Sequence, residues 1–318
     1  MLLNGGRINS PVMMNTKSVL TRTITFLSTV ALLFMVVGCS CDSEGPLVSF
    51  PIEVGERPES ITKGFGGNYF VTVMNGHEYG DGVIKVIQGD EVSVFATGLS
   101  EPKGIAFVGG YLIASDLQRV VKVDAEGNVS ELAGHDDFPY PPSYLNDVSV
   151  DANEMGVYVT DMGANTKMRG PDGLWPLDSA EAKAMPMIGR VYHISLDGEV
   201  TEVIKPNPKM TNPNGVGLGK DGQLLVGAFF QGHFLVKEDD ELKVLTSGLR
   251  GADAVEQDSH GNYYASSWSQ AKVWKISEDG SSVEVLQEGF QSAADFYLEE
   301  ENNRLLLPDM LAGKVYEV

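Results

Sequence analysis

Six residues occupy one repeated place in this chain, and five of them carry charge or an amide. In each repeat a small residue or Pro comes first (Leu once), a variable residue second, a small residue or Asp third, and an apolar residue fourth. The six segments are Pro58-Glu59-Ser60-Ile61, Pro102-Lys103-Gly104-Ile105, Leu145-Asn146-Asp147-Val148, Pro213-Asn214-Gly215-Val216, Ala252-Asp253-Ala254-Val255 and Ala293-Ala294-Asp295-Phe296. Packing alone does not ask for Glu59, Lys103, Asn146, Asn214 and Asp253 at the second place; Ser, Val, Thr or Ala would serve. If these side chains converge in a partly dry site, Glu59 and Asp253 repel each other, so one must protonate or a cation must lie between them. Two ionised carboxylates balance a divalent cation, and Asn146 and Asn214 add neutral carbonyl oxygens. Donors that are all oxygen suit a hard cation, calcium first, with magnesium, manganese and zinc also compatible. Lys103 supports a competing account, in which its ammonium neutralises Glu59 or Asp253 and leaves a metal-free polar cluster.

The elements that must position these residues follow from the spacing. The variable positions lie 44, 43, 68, 39 and 41 residues apart. Each is followed by a turn and a second strand-like run, such as Tyr69-Phe70-Val71-Thr72-Val73, then a third, such as Val120-Val121-Lys122-Val123. A more polar fourth run follows in most repeats. Strand-sized runs parted by Gly, Asp and Asn turns indicate antiparallel meanders, and a four-stranded unit of about 40–50 residues is the size of a propeller blade. One meander cannot bury both its faces; six set radially bury each against its neighbours. The expected fold is an all-β, six-bladed β-propeller of four-stranded antiparallel blades. Each variable residue then begins an innermost strand and points to the axis. Residues 47–54 are expected to form a strand that completes the last blade and joins the two ends of the chain. The long spacing of 68 reflects an insertion at 162–188, with a short helix expected near 178–185. It joins the second and third strands of its repeat, which places it as a lid or wall over the channel mouth.

The first 39 residues are expected to lie outside the fold. Lys17 and Arg22 precede an apolar run at 24–37, which ends in Val36-Val37-Gly38-Cys39. A charged start, a short apolar stretch and a small residue before the cut form an export signal, and the run is short for a membrane span. Val-Val-Gly-Cys resembles a bacterial lipobox, which implies cleavage before Cys39 and a diacylglycerol on its sulfur. A plain secretory signal or a retained anchor helix is the alternative. The expected organisation is a lipoprotein signal at 1–39, a linker at 40–46 and the propeller at 47–318, lipid-anchored to a bacterial membrane and facing periplasm or exterior. Cys39 and Cys41 are the only cysteines, so the folded part has no disulfide and no Cys-based metal site. The whole chain carries 23 basic and 44 acidic residues, a net charge of −21. Such an acidic surface disfavours nucleic acid and anionic lipid headgroups as partners.

Here the residues carry a family resemblance. Pro58-Glu59-Ser60-Ile61, the run Asn146-Asp147-Val148-Ser149-Val150-Asp151, Pro213-Asn214-Gly215-Val216, and Asp253 followed by Gly261-Asn262-Tyr263 resemble the senescence marker protein/gluconolactonase/luciferin-regenerating enzyme family. Each motif is short, but four stand in order at the proper repeats. The resemblance implies a hydrolase of lactones or related esters with one divalent metal in the channel. Glu59, Asn146, Asn214 and Asp253 match the family's metal ligands, and Asp253 also matches its general base. Two positions depart from the pattern. Tyr144 stands where many gluconolactonases have an Arg for a sugar hydroxyl or carboxylate, so a sugar-acid lactone does not carry over. Lys103 stands where the more distant paraoxonases have a His, so their His-based chemistry does not carry over either.

The remaining candidates are expected around the mouth. His77 and His135 lie in mouth-side loops and His233 begins a strand near that face; any of them could shuttle a proton or touch substrate. His193 and His260 read as structural. Trp175, Phe229, Phe230, Trp268 and Met310 could supply an apolar wall. No Gly-x-Ser-x-Gly elbow, phosphate-cradling loop or zinc-protease helix occurs. The expected activity is metal-assisted hydrolysis of a small-molecule lactone or ester by a monomer, with Asp253 as base and Lys103 holding an oxyanion or an acidic substrate. The alternative is a non-catalytic exported propeller that binds a ligand or protein partner.

Overall fold

The computed structural model describes residues 48–76 and 78–318. The export signal, the linker, Cys39 and His77 lie outside the described residues. Six four-stranded antiparallel sheets follow one another along the chain, and together they form a six-bladed β-propeller. Blade 1 runs through Pro58–Lys63, Tyr69–Val73, Gly82–Gln88 and Glu91–Leu99. Blade 2 comprises Pro102–Val108, Tyr111–Asp116, Arg119–Val123 and Val129–Ala133, and blade 3 comprises Leu145–Val150, Gly156–Asp161, Arg190–Ser195 and Val200–Ile204. Blade 4 uses Pro213–Leu218, Leu224–Ala228, His233–Glu238 and Glu241–Ser247; blade 5 uses Ala252–Gln257, Tyr263–Ser267, Lys272–Ile276 and Val283–Glu288. Blade 6 takes Tyr297–Glu299, Arg304–Asp309 and Lys314–Glu317, then borrows Ile52–Glu53 from the other end of the chain.

The closing strand is shorter than 47–54. Ile52 pairs with Val315 and Glu53 with Lys314 before the backbone turns away at Gly55. Closure nonetheless leaves no long open edge between first and last blades. The core has one apolar cluster at each junction. Blades 6 and 1 share Val54, Ile61, Val71, Leu306 and Val315; blades 2 and 3 share Val120, Leu145, Val159 and Tyr192; the other four junctions are built alike. This arrangement explains the near-continuous apolar character of the second strands, which are covered on both faces. The fourth strands face solvent on one side and are accordingly more polar.

Each of the first five inner strands carries an irregularity at the same place. Between Pro58 and Ile61, Pro102 and Ile105, Leu145 and Val148, Pro213 and Val216, and Ala252 and Val255, the register to the second strand shifts. A bulge bends a strand and re-aims the side chain it carries. Here the bulged stretch contains Glu59, Lys103, Asn146, Asn214 and Asp253. In blade 6, Ala294 stands ahead of its inner strand, beside an isolated bridge from Ala293 to Asp309.

The insertion of blade 3 has structure of its own. A one-turn helix at Asn165–Lys167 leads to a tight hairpin pairing Arg169–Gly170 with Gly173–Leu174, and a short helix spans Ala180–Lys183, capped by the Ser179 hydroxyl. Gly170 is required by close approach, because a Cβ there would stand 2.3 Å from the Trp175 ring.

Candidate active site

The five inner-strand residues meet in one cavity of about 310 Å³. Glu59, Lys103, Asn146, Asn214 and Asp253 all line it, and all are buried, Glu59 and Asp253 at 2% exposure each. Their placement rests on a hydroxyl relay between blades. In blade 1 the Ser60 N–H donates to Thr72 Oγ1 (3.0 Å), and the Thr72 hydroxyl donates to the Lys103 carbonyl of blade 2 (2.6 Å). Thr160 does the same in blade 3, accepting from Asp147 N–H and donating to the Asn214 carbonyl. Ser266 links Ala254 N–H to the Ala294 carbonyl, and Ser115 donates to the Asn146 carbonyl. The relay satisfies backbone groups that the bulges free, and it ties Lys103, Asn146, Asn214 and Ala294 each to the blade before it. Blade 4 has no such hydroxyl; a Cβ on its Gly215 would lie 1.7 Å from the Asp253 carbonyl, so the strands approach directly.

A second device sets the loops before the variable positions. Asp116 accepts from the N–H groups of Ser100 and Glu101, Asp161 from those of Ser143 and Tyr144, and Asp309 from those of Gln291 and Ser292. The loops of blades 2 and 3 thereby bring Tyr144 to the cavity and Glu101 within reach of Lys103 beside it. Lys103 donates to the Glu101 carboxylate and carbonyl, both at 3.2 Å, and lies 4.1 Å from the centre of the Tyr144 ring. Tyr144 in turn donates its hydroxyl to Glu101 (3.0 Å). Among the described residues Lys103 is therefore ion-paired with Glu101, and no ion pair joins it to Glu59 or Asp253.

The electrostatics of the floor follow. Burial pushes the Glu59 carboxyl up to about 8, against the pull of nearby Lys103. Burial raises Asp253 well above the carboxylate range, and the neighbouring Glu59 and Asp147 add to it. Burial also lowers Lys103, with Glu101 and Glu59 opposing. Behind the floor, Asp147 receives N–H donors from Val148 and Val216, and Asp295 receives the Ser60 hydroxyl.

Eight buried side-chain oxygens have no hydrogen-bond partner among the described residues, and four of them belong to residues that line this cavity: Glu59 Oε2, Asn146 Oδ1, Asn214 Oδ1 and Asp253 Oδ1. Leaving a buried acceptor unmet costs about 1–3 kcal/mol. Four such atoms lining one cavity, two from carboxyls, form a donor set that a hard divalent cation satisfies. Among the described residues no three His, Cys, Asp or Glu side chains come together as a metal group. The set holds only two carboxylates and is completed by amide oxygens, which suit calcium better than zinc.

The walls are apolar, with Met74, Met162, Met168, Phe229, Trp268 and Met310 lining the cavity. The insertion supplies Met162, Asn165, Thr166, Met168 and Arg169 to it, and is anchored from behind. Met162, Met168 and Met185 pack with Phe229 and Phe230 of blade 4, and Arg250 donates to the carbonyls of Trp175 and Phe230. Of the sequence candidates, Tyr144 and Trp268 line the cavity. Trp175 packs within the insertion, half-buried behind the wall. His135 is bonded to Asp136 on an exposed loop, and His233 faces the Lys209 carbonyl outside the cavity (3.1 Å). His193 is held by Asp151 (2.7 Å). Glu101, Arg57 and Arg169 are site residues that the repeat does not single out. Glu101 is two residues from Lys103 and is legible as its partner; Arg169 depends on how the insertion packs.

No protein-family model matches the chain, and no curated protein matches its sequence. Solved structures do match. A gluconolactonase from Xanthomonas campestris superposes with a TM-score of 0.59 at 16% identity, covering 85% of this chain and 97% of that one. Regucalcin, a calcium-binding protein from Agrobacterium tumefaciens, gives 0.60 at 15% identity, covering 86% and 92%. A luciferin-regenerating enzyme gives 0.59 at 13% identity, covering 84% and 91%. These structures carry the names of the family that the inner-strand motifs resemble. At such identities the likeness shows the shared propeller fold.

Proposed function

We propose that the protein is a metal-dependent hydrolase of a lactone or related carboxylic ester, a distant member of the senescence marker protein/gluconolactonase/luciferin-regenerating enzyme family, working in the propeller channel. The observation that carries this reading is the set of four unpartnered oxygens on Glu59, Asn146, Asn214 and Asp253. These residues would hold one divalent cation, calcium by the chemistry of the donors. A cation held there supplies Lewis-acid polarisation of the substrate carbonyl.

The chain's own residues do the rest. Asp253 accepts a proton from the water that adds to the carbonyl carbon. The acyl C–O bond then breaks, and Asp253 returns the proton to the leaving alkoxide, giving a hydroxy acid from a lactone. Lys103 directs positive charge at the same floor, where an oxyanion develops. Its ion pair is with Glu101, so Lys103 acts on Glu59 only at longer range and neither Glu59 nor Asp253 has a salt-bridge partner among the described residues, which favours a bound cation over a metal-free cluster. The apolar walls give the reacting ester a low-polarity surface to bind against. The reading takes a monomer acting on a small molecule, exported and lipid-anchored through Cys39.

The test is a panel of lactones and aryl esters with calcium, manganese or zinc added, run on wild type and Asp253→Ala. Metal-dependent turnover that falls by about 10²–10⁴ in the variant is expected. Equal rates in the two proteins would overturn the assignment.

A further inference from the structure

Three cationic side chains line the cavity, and they differ in what neutralises them. Lys103 and Arg57 both reach Glu101, at 3.2 and 3.9 Å. Arg169 is different. Its guanidinium lies over the Trp268 ring, 4.5 Å from the centroid, and 5.9 Å from that of Phe229. Among the described residues no carboxylate comes within ion-pair distance of it. Loss of water lowers its pKa, and the interaction that opposes this comes from the Tyr144 hydroxyl.

Elsewhere on the propeller some cations take acidic partners, as Lys243 does with Glu238 and Lys272 with Glu288, and others, such as Lys209 and Arg250, donate to carbonyl oxygens; among the three cavity cations Arg169 alone has neither. Arg169 is moreover held in place. It belongs to the hairpin pairing Arg169–Gly170 with Gly173–Leu174, whose Gly170 packs on Trp175, and Arg250 anchors the Trp175 carbonyl. Lying over the Trp268 ring, the guanidinium keeps its planar fork of N–H donors for a ligand, which a point charge such as an ammonium does not offer.

We propose that Arg169 is the specificity-determining residue of the cavity, and that it selects substrates carrying a carboxylate separated from the scissile carbonyl by a short apolar body. This rests on the hydrolase reading, in which the scissile carbonyl lies on the Glu59/Asn146/Asn214/Asp253 floor. The methionine and aromatic lining of the same cavity fits the apolar body. A cavity of about 310 Å³ limits the whole to a small molecule. One uncompensated guanidinium matches one carboxylate, and its geometry is bidentate. A phosphate monoester would bring a second charge, and the other two cations of the cavity are already shared with Glu101.

The test uses mono-4-nitrophenyl glutarate and its neutral counterpart, 4-nitrophenyl methyl glutarate, on calcium-loaded wild type, Arg169→Gln and Arg169→Lys. Binding of glutarate itself is measured by calorimetry on the same proteins. Arg169→Gln should raise KM for the charged ester and weaken glutarate by about 10- to 100-fold, with the neutral ester changed by less than about twofold. Arg169→Lys should recover part of the loss. Equal effects on both esters, or glutarate binding that is absent in wild type or unchanged in Arg169→Gln, would overturn the proposal. If wild type binds glutarate through Arg169 but hydrolyses neither ester under any metal, the hydrolase reading falls and the carboxylate site stands.

Discussion

Replacing Glu59 with glutamine separates the cost of the buried charge from its use. With no cation in the site, burial holds the Glu59 carboxyl at about 8, against 4.5 in an unfolded chain. Between these values the folded protein keeps a proton that the unfolded chain has lost. Stability therefore falls as pH rises from about 4.5, and it levels off above about 8. At about 1.4 kcal/mol per pH unit, the chelated wild type loses on the order of 3 kcal/mol by pH 7 and about 4 kcal/mol by pH 8 from this group. The amide of the Glu59→Gln variant keeps the shape and has no proton to lose. In chelator, urea denaturation at pH 5, 6, 7 and 8 should show wild type falling progressively below Glu59→Gln. Excess calcium should reverse the order at pH 8, because the wild type regains an ionised ligand that the variant lacks. Parallel pH profiles for the two chelated proteins would refute the reasoning, as would the same ranking with and without calcium.

Three other outcomes follow from the structure. Thr160→Val removes the relay between Asp147 N–H and the Asn214 carbonyl; unfolding free energy should drop by about 1–3 kcal/mol, and calcium affinity should fall with it. Gly170→Ala forces a Cβ against Trp175; a cost of about 1–3 kcal/mol in the insertion should appear as a raised KM on esters and faster proteolysis within 162–188, with the blades still melting cooperatively. Under the lipobox reading, Cys39→Ala should abolish incorporation of labelled palmitate and release the protein from membranes; continued labelling would remove that assignment.

The blades were legible because each has to supply the same inner strand. A recurring small-X-small-apolar segment marks where that strand bulges, so Glu59, Lys103, Asn146, Asn214 and Asp253 could be placed on one channel from their spacing. The hydroxyl relay was written in the same repeat, as Thr72, Ser115, Thr160 and Ser266 on the second strands. A Ser or Thr in a strand also reads as ordinary β-propensity, and only the bulged partner shows its use. The closing strand was read too long because an apolar run such as Val48-Ser49-Phe50 packs at the ring seam without pairing. His135 and His233 were candidates by residue type and loop position; their partners Asp136 and the Lys209 carbonyl are local and keep them from the cavity. Arg169 was invisible because its role depends on how a 27-residue insertion folds against blades 4 and 5, and no short-range pattern encodes that.

The central claim is that four blades jointly hold one divalent cation. Elemental analysis of purified protein after dialysis against calcium, beside calcium titration of Asn146→Ala and Asp253→Asn, tests it most directly. The account predicts one calcium per wild-type chain, and affinity reduced by at least about 10-fold in each variant. Wild-type protein that binds no divalent cation, or variants that bind it as tightly as wild type, would contradict it.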